Sequence, residues 1–150
     1  MPTRLGLAAA LSIAMVGLAG CSTGPAETAP TAPSGPALST ASTSLGTIVV
    51  DGAGMTVYSF DLDVKDSGSS SCTGTCSANW PAVTTVGTPS ADGVTGSVDT
   101  ITGVDGSPQV TLDGMPLYTY VGDQKAGDVT GQGVGEVWWA ASPSGAKIGG

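Results

Sequence analysis

The 150-residue sequence contains no histidine and only 4 basic side chains against 12 acidic ones. Without histidine it has no Ser/His or Cys/His nucleophile pair, no histidine-ligated zinc and no CxxCH haem attachment. Its formal charge of -8 repels phosphate backbones, whereas nucleic-acid binding depends on Lys and Arg. We therefore predict that the chain has no nucleic-acid partner, no cofactor and no catalytic site.

One long apolar run is present, and it lies at the start of the chain. Residues 5–19 are apolar or small and follow Arg4, but the run is too short to span a bilayer as a permanent helix. It ends in Leu18-Ala19-Gly20-Cys21, which resembles a bacterial lipobox. We predict a lipoprotein signal peptide over 1–20 and lipidation of Cys21. Several acyl chains on one residue give durable anchoring at the extracytoplasmic face of the cell membrane.

The next segment, residues 22–44, consists mainly of Thr, Ala, Pro, Ser and Gly and has one charge, Glu27. Such a composition buries too little apolar surface to offset its ordering entropy. We predict that residues 21–44 comprise the lipidated cysteine and a disordered tether. A proline-rich recognition peptide is the alternative interpretation.

From residue 45 the pattern changes to short β-branched runs separated by turn residues. The run 47–50 leads through Asp51-Gly52-Ala53-Gly54 into 55–60, and the run 109–112 leads through Asp113-Gly114 into 115–120. Asp-Gly supplies the positive φ angles that tight hairpins require. No helical apolar period follows the signal. We predict one all-β domain over 45–150.

The two hairpins belong to an internal repeat. A shift of sixty residues aligns 54–65 with 114–125, and Gly, Met, Tyr, Asp and Lys coincide. A Gly- and Ser-rich loop and a tryptophan follow each copy. We therefore predict two related hairpin-containing repeats, over about 46–85 and about 107–145.

The repeated pattern Tyr, any, aromatic, any, any, Asp resembles the bacterial family of predicted lipoproteins with a conserved Yx(FWY)xxD motif, also described as a secreted repeat of unknown function. The resemblance extends over about residues 46–145. It implies export, usually lipidation and tandem repeats, and it carries no established activity. The motif residues here are Tyr58, Phe60, Asp63, Tyr118, Tyr120 and Asp123.

The motif has two interpretations. Tyr58 and Phe60 lie on the same face of a strand, as do Tyr118 and Tyr120, because side chains alternate. The aspartates follow the strands, where a carboxylate accepts backbone N–H bonds and fixes a turn. We favour a structural role, with core aromatics and turn-fixing aspartates. The alternative is a repeated ligand site with an aromatic floor and a carboxylate rim.

Cys72 and Cys76 flank Gly74 in a chain predicted to be exported, where thiols oxidise. We predict a structural disulfide. The alternative is an envelope redox or copper-handling role, because Cu(I) accepts thiolates and thioethers, and Met55 and Met115 could complete the set.

Two further sets of residues are candidates for binding, one of tryptophans and one of aspartates. Trp138 and Trp139 are adjacent, so in a strand they face opposite sides. We favour burial of both at the interface between the repeats; the alternative is that one joins the core and the other is a platform for a sugar or protein partner. The candidate binding surface comprises Trp80, Trp138 and Trp139. Asp61, Asp63 and Asp66 are candidate calcium ligands. Their spacing departs from the EF-hand loop, so we favour a solvated turn.

These observations together predict an extracytoplasmic lipoprotein that is held to the membrane by its lipid. The absence of catalytic constellations favours a non-enzymatic binding or structural module of the cell envelope, with an envelope protein or glycan as its partner.

Overall fold

The computed structural model describes residues 37–150. The signal peptide, Cys21 and most of the predicted tether lie outside the described residues. Seven strands dominate the described part, which confirms the all-β prediction. The elements are β1 (Leu38–Thr43), β2 (Gly46–Asp51), β3 (Tyr58–Phe60), helix α1 (Thr75–Asn79), β4 (Val98–Thr102), β5 (Pro108–Leu112), β6 (Met115–Pro116), a 3-10 turn (Val134–Glu136) and β7 (Trp138–Ala140).

The strands form three small antiparallel sheets, with orders β1-β2, β3-β7 and β4-β5-β6. The β5-β6 hairpin has the tight turn that its sequence predicts. Asp113 has φ 49° and Gly114 has φ 78°, as a two-residue type I′ turn requires.

Strand β1 lies within the segment that we predicted to be disordered, so that prediction was wrong for residues 38–44. All six residues of β1 pair with β2, from Leu38 opposite Asp51 to Thr43 opposite Gly46. Leu38 is fully buried and Ala41 packs against the core. The Ser- and Thr-rich composition is typical of a linker, but threonine also favours strands, and one or two buried apolar residues suffice to dock an edge strand.

The second repeat likewise begins earlier than predicted, because β4 starts at Val98 and pairs with β5. Each repeat therefore consists of a leading strand, a hairpin and the tyrosine-containing segment that follows it. The leading strands have no tight-turn residues of the Asp-Gly type at their starts, so the sequence gives little indication of them.

The predicted hairpins form, but the second strand of each stays paired with the first for only a few residues. In the first hairpin Val50 bridges to Thr56, and Val57 N donates to Val49 O. In the second, Leu117 N donates to Val110 O. Beyond these points the tyrosine-containing segment of each repeat pairs with segments of the other repeat. Two related hairpin-containing repeats are thus confirmed, but they exchange their tyrosine segments.

The exchange is organised about Tyr58 and Tyr118. Tyr58 N donates to Tyr118 O at 2.8 Å, and Tyr118 N donates to Tyr58 O at 3.0 Å. On their other edges, Tyr58 lies opposite Ala140 and Tyr118 opposite Ala82. Each tyrosine segment therefore pairs with a tryptophan-containing segment from the other repeat. The pairing pattern is therefore the same for the two tyrosines.

The core consists of two clusters. The first surrounds the paired tyrosines and contains the aromatic rings together with Ile48, Val50, Cys72 and Ala140. The second is aliphatic and is made by Leu38, Val49, Val57, Val83, Val110, Leu112, Leu117 and Ala141. Among residues 37–150, no helix is both long and apolar enough to cross a membrane.

Candidate functional site

The motif tyrosines and aspartates bond across the two repeats. Tyr58 Oη donates to Asp123 Oδ2 at 2.7 Å, and Tyr118 Oη donates to Asp63 Oδ2 at 2.6 Å. All four side chains are at least nine-tenths buried. The exchange of segments at the paired backbones brings each phenol to the carboxylate of the other repeat.

The second oxygen of each carboxylate fixes a loop. Asp63 Oδ1 accepts the N–H of Ser71 at 2.6 Å. Asp123 Oδ1 accepts the N–H of Thr130 at 2.8 Å and its hydroxyl at 2.6 Å. The predicted turn-fixing role of the aspartates is therefore present, and a bond to the opposite tyrosine accompanies it. Both oxygens of each carboxylate have partners within the protein.

The two phenols stay protonated in this environment. Burial raises the pKa of Tyr58 well above its ordinary value, and the bond to Asp123 raises it further. Burial likewise raises the pKa of Tyr118, with Asp63 adding to the effect. A buried phenol beside a carboxylate is disfavoured as a phenolate, so each tyrosine acts as a neutral hydrogen-bond donor.

The remaining motif aromatics form a stack of four rings with two tryptophans. Phe60 stacks on Trp138 at a centroid distance of 4.1 Å, Trp138 on Trp80 at 3.8 Å, and Trp80 on Tyr120 at 4.3 Å. The edge of Tyr58 meets Trp80, and that of Tyr118 meets Trp138, at 5.4 and 5.2 Å. The two halves of this stack correspond, because Phe60 and Tyr120 have the same place in the motif and each stacks on the tryptophan of the other repeat.

Trp80 and Trp138 are therefore core residues, and the prediction that they form a binding surface was wrong. Their side chains are 5% and 4% exposed, because each fills the space between the crossed repeats. Trp139 faces the other way, as the alternation along a strand predicts, and is only partly buried. Its indole Nε1 donates to Asp61 Oδ2 at 2.9 Å, and Lys147 Nζ lies 5.5 Å from the ring centroid.

The three aspartates considered for calcium have separate partners. Asp61 pairs with Lys147, Asp63 bonds to Tyr118, and Asp66 donates its backbone N–H to Gly114 O. Within residues 37–150 no group of three or more Cys, Asp or Glu side chains is arranged to hold a metal ion.

A disulfide joins Cys72 and Cys76, as predicted. Cys72 is fully buried against the aromatic cluster, and the bond fixes the start of α1, which ends directly before Trp80. With both sulfurs bonded, neither is a thiolate. Met55 follows the turn of the first hairpin and Met115 begins β6.

A cleft of about 310 Å³ lies beside the disulfide and is lined by residues of both repeats. Gln109 and Tyr118 border it, together with the segment around Pro81. Sequence reasoning missed Gln109, because it stands in a strand that we treated only as β-branched. A glutamine where the first repeat carries an isoleucine was the available signal.

Comparison with known proteins places these features in a family. A family model described as a secreted repeat of unknown function matches residues 39–84 and 99–142. Each match begins in the leading strand of a repeat and ends beyond its tryptophan, and together they cover more than half of the chain. No curated protein and no solved structure matches the chain. A family of secreted repeats indicates an extracytoplasmic location. The chain therefore belongs to the family of secreted repeats of unknown function, and it contains two copies of the repeat.

Proposed function

We propose that this chain is a lipid-anchored extracytoplasmic lipoprotein whose double repeat is a non-enzymatic binding or structural module of the bacterial cell envelope. One observation carries the proposal. The polar motif residues that could serve chemistry, the tyrosines and aspartates, bond to each other across the repeats, and their partners are inside the protein.

The burial of the carboxylates supports a non-enzymatic role. A general acid or base must come within hydrogen-bonding distance of its substrate. Asp63 and Asp123 are 7% and 6% exposed, and both oxygens of each accept protein hydrogen bonds. A substrate reaching either carboxylate would have to displace one of these protein hydrogen bonds.

The position of β1 supports an anchor at Cys21. The first strand begins at Leu38, so residues 22–37 separate the folded domain from the proposed lipid. A proline-rich chain of this length reaches roughly 50 Å when extended at about 3 Å per residue. The lipid would thus hold the domain within that distance of the membrane.

Fractionation of bacteria expressing the full chain tests the anchor. We expect the protein in the membrane fraction, with a mature mass that includes acyl chains on Cys21. Cys21→Ser should release it from that fraction or leave it unprocessed. The matched control is Cys72→Ser with Cys76→Ser, which should stay in the membrane. An unmodified Cys21 in a processed, soluble protein would contradict the anchor.

Incubation of the purified protein with isolated cell-envelope material tests the non-enzymatic role. We expect no product by mass spectrometry that is absent from the envelope material alone. A product that disappears with Asp63→Asn or Asp123→Asn, while the variant stays folded, would contradict the proposal.

A further inference from the structure

We infer that the cleft beside the disulfide is a binding site for a neutral sugar residue of an envelope glycan. The inference rests on the proposed function, of which it specifies the binding role. Four observations carry it: the cleft itself, a buried amide oxygen without a partner, the difference between the two repeats at this position, and the charge of the lining.

The cleft has the size and lining of a small-ligand site. Its volume of about 310 Å³ lies at the lower end of the range for such sites. One wall is apolar and is formed by Cys72, Trp80, Pro81 and Ala82. Ser70, Ser77, Thr84 and Tyr118 also line it, and the hydroxyls of Ser70 and Tyr118 bond to each other at 2.6 Å.

Gln109 is the polar residue of the lining that is most deeply buried. It is fully buried, and its Oε1 has no hydrogen-bond partner within the described residues 37–150. Its Nε2 donates to Leu117 O at 3.1 Å, but that carbonyl also accepts Val83 N at 2.9 Å. The fold therefore does not need this side chain to satisfy Leu117. A buried acceptor without a donor costs stability, so the stability of the fold does not explain the glutamine.

The first repeat has an apolar residue at the corresponding position. Val49 O accepts the N–H of Val57, and Val110 O accepts the N–H of Leu117, so Ile48 corresponds to Gln109. Ile48 is fully buried in the aromatic cluster. An isoleucine therefore satisfies the fold at this position, and the glutamine is a departure from the repeat.

The connection that precedes this strand also differs between the two repeats. In the first repeat Leu45, between β1 and β2, packs against the aromatic cluster. In the second, Val104 and Asp105 lie between β4 and β5, are exposed and border the cleft. The first repeat thus has packed apolar side chains, Leu45 and Ile48, in this region, whereas the second repeat has Asp105, Gln109 and the cleft.

The lining selects against charged ligands. It contains one carboxylate, Asp105, and no lysine or arginine, and the whole chain has a charge of -8. An anion would be repelled, and a cation would meet a single exposed carboxylate screened by solvent. A neutral sugar suits the lining better, because its hydroxyls donate to an amide or carboxylate while its apolar ring face packs on Pro81 and Ala82.

The backbone around the cleft disfavours an extended peptide, the main alternative ligand. Peptides commonly bind by adding a strand to a free sheet edge. Here residues 83–85 already pair with β5, since Val110 N donates to Val83 O and Thr85 N donates to Pro108 O. The cleft therefore offers side chains and no open strand edge.

A titration of the full ¹⁵N-labelled chain in detergent tests the inference. The probes are glucose, galactose and N-acetylglucosamine at millimolar concentration, with trialanine as the peptide probe. We expect at least one sugar to shift the side-chain NH₂ of Gln109 and the amides near Pro81 and Asp105. The amides near Ile48 should not respond, since that position in the first repeat is filled.

Two variants and one control locate the site. Gln109→Ile copies the first repeat and should weaken sugar binding at least tenfold while leaving the melting temperature unchanged or higher. Asp105→Asn should weaken it several-fold. The matched control is Asp99→Asn, because Asp99 is also exposed and also accepts a nearby backbone N–H, from Thr100, as Asp105 does from Ser107. It should bind as the unaltered chain does.

Other outcomes would contradict the glycan class, the binding site or the non-enzymatic proposal. If trialanine shifts these amides and no sugar does, the glycan class is wrong and a binding module remains. If no probe shifts them, or if Gln109→Ile binds normally, the inference is wrong. If a bound sugar is chemically altered, the cleft stands as a sugar site and the non-enzymatic proposal fails.

Discussion

Tyr58 and Tyr118 form two reciprocal backbone hydrogen bonds, at 2.8 and 3.0 Å, which join the two repeats. Their hydroxyl groups then reach the carboxylates of the opposite repeats, at 2.7 and 2.6 Å. The tyrosine and aspartate of the motif are therefore partners between repeats, and not within one. A single repeat would leave the phenol without its carboxylate and one oxygen of the carboxylate without its phenol.

The two buried phenols predict a loss of stability in alkaline solution. Their folded-state pKa values are raised above the ordinary value of 10.0. Above that pH the unfolded chain releases protons that the folded chain retains, so the free energy of unfolding falls. The expected slope is about 1.4 kcal/mol per pH unit for each tyrosine. Below that pH the contribution is fully present.

Urea unfolding between neutral pH and pH values above 10.0 measures this slope. Tyr58→Phe and Tyr118→Phe should each lower stability at neutral pH but flatten the alkaline decline. The lysines titrate in the unaltered chain and in both variants, so the comparison removes their contribution. An alkaline slope that is the same in all three proteins would contradict the argument.

The adjacent tryptophans predict very different responses to truncation. Trp138 is buried in the ring stack, whereas Trp139 is partly buried on the opposite face. Trp138→Ala should cost about 3–5 kcal/mol or prevent folding, and Trp139→Ala about 1 kcal/mol. Thermal and urea unfolding of the two variants check the difference. Equal losses would show that the stack contributes no more than a surface ring.

The sequence predicts the features that depend on neighbouring residues, namely the turn, the strand alternation, the repeat and the disulfide. Asp113-Gly114 specifies its turn because few residues adopt positive φ, and the alternation along a strand separates Trp138 from Trp139. The match of 54–65 with 114–125 reveals the repeat. Cys72 and Cys76 are close enough in sequence for a disulfide in an oxidising compartment to be expected.

What the sequence does not reveal depends on contacts between distant residues. The pairing of β3 with β7 joins residues about eighty positions apart, and no local pattern distinguishes it from pairing within a hairpin. For the same reason Trp80 is consistent with either a surface or a core position until the crossing is known. Strand β1 escapes prediction because its partner, β2, supplies most of the buried apolar residues.

The disulfide predicts that the oxidised protein has no free thiol at Cys72 or Cys76. In the chain-entropy model a loop this short stabilises the fold by about 2 kcal/mol, so Cys72→Ser with Cys76→Ser should fold with that loss. Thiol counting on denatured protein and Cu(I) titration after anaerobic reduction, against a competing chelator, check the role. Readily reduced thiols and one tightly bound Cu(I), lost in Cys72→Ser, would favour the redox or copper role instead.

The central claim is that the motif joins the two repeats, and double-mutant cycles in urea unfolding test it most directly. We predict a coupling energy of about 1.5–3 kcal/mol between Tyr58→Phe and Asp123→Ala, as for other hydrogen bonds to charged groups. Tyr118→Phe and Asp63→Ala should couple similarly. The within-repeat combination of Tyr58→Phe and Asp63→Ala, whose residues share no hydrogen bond, should be close to additive. Stronger coupling within a repeat than between repeats would contradict the crossed arrangement.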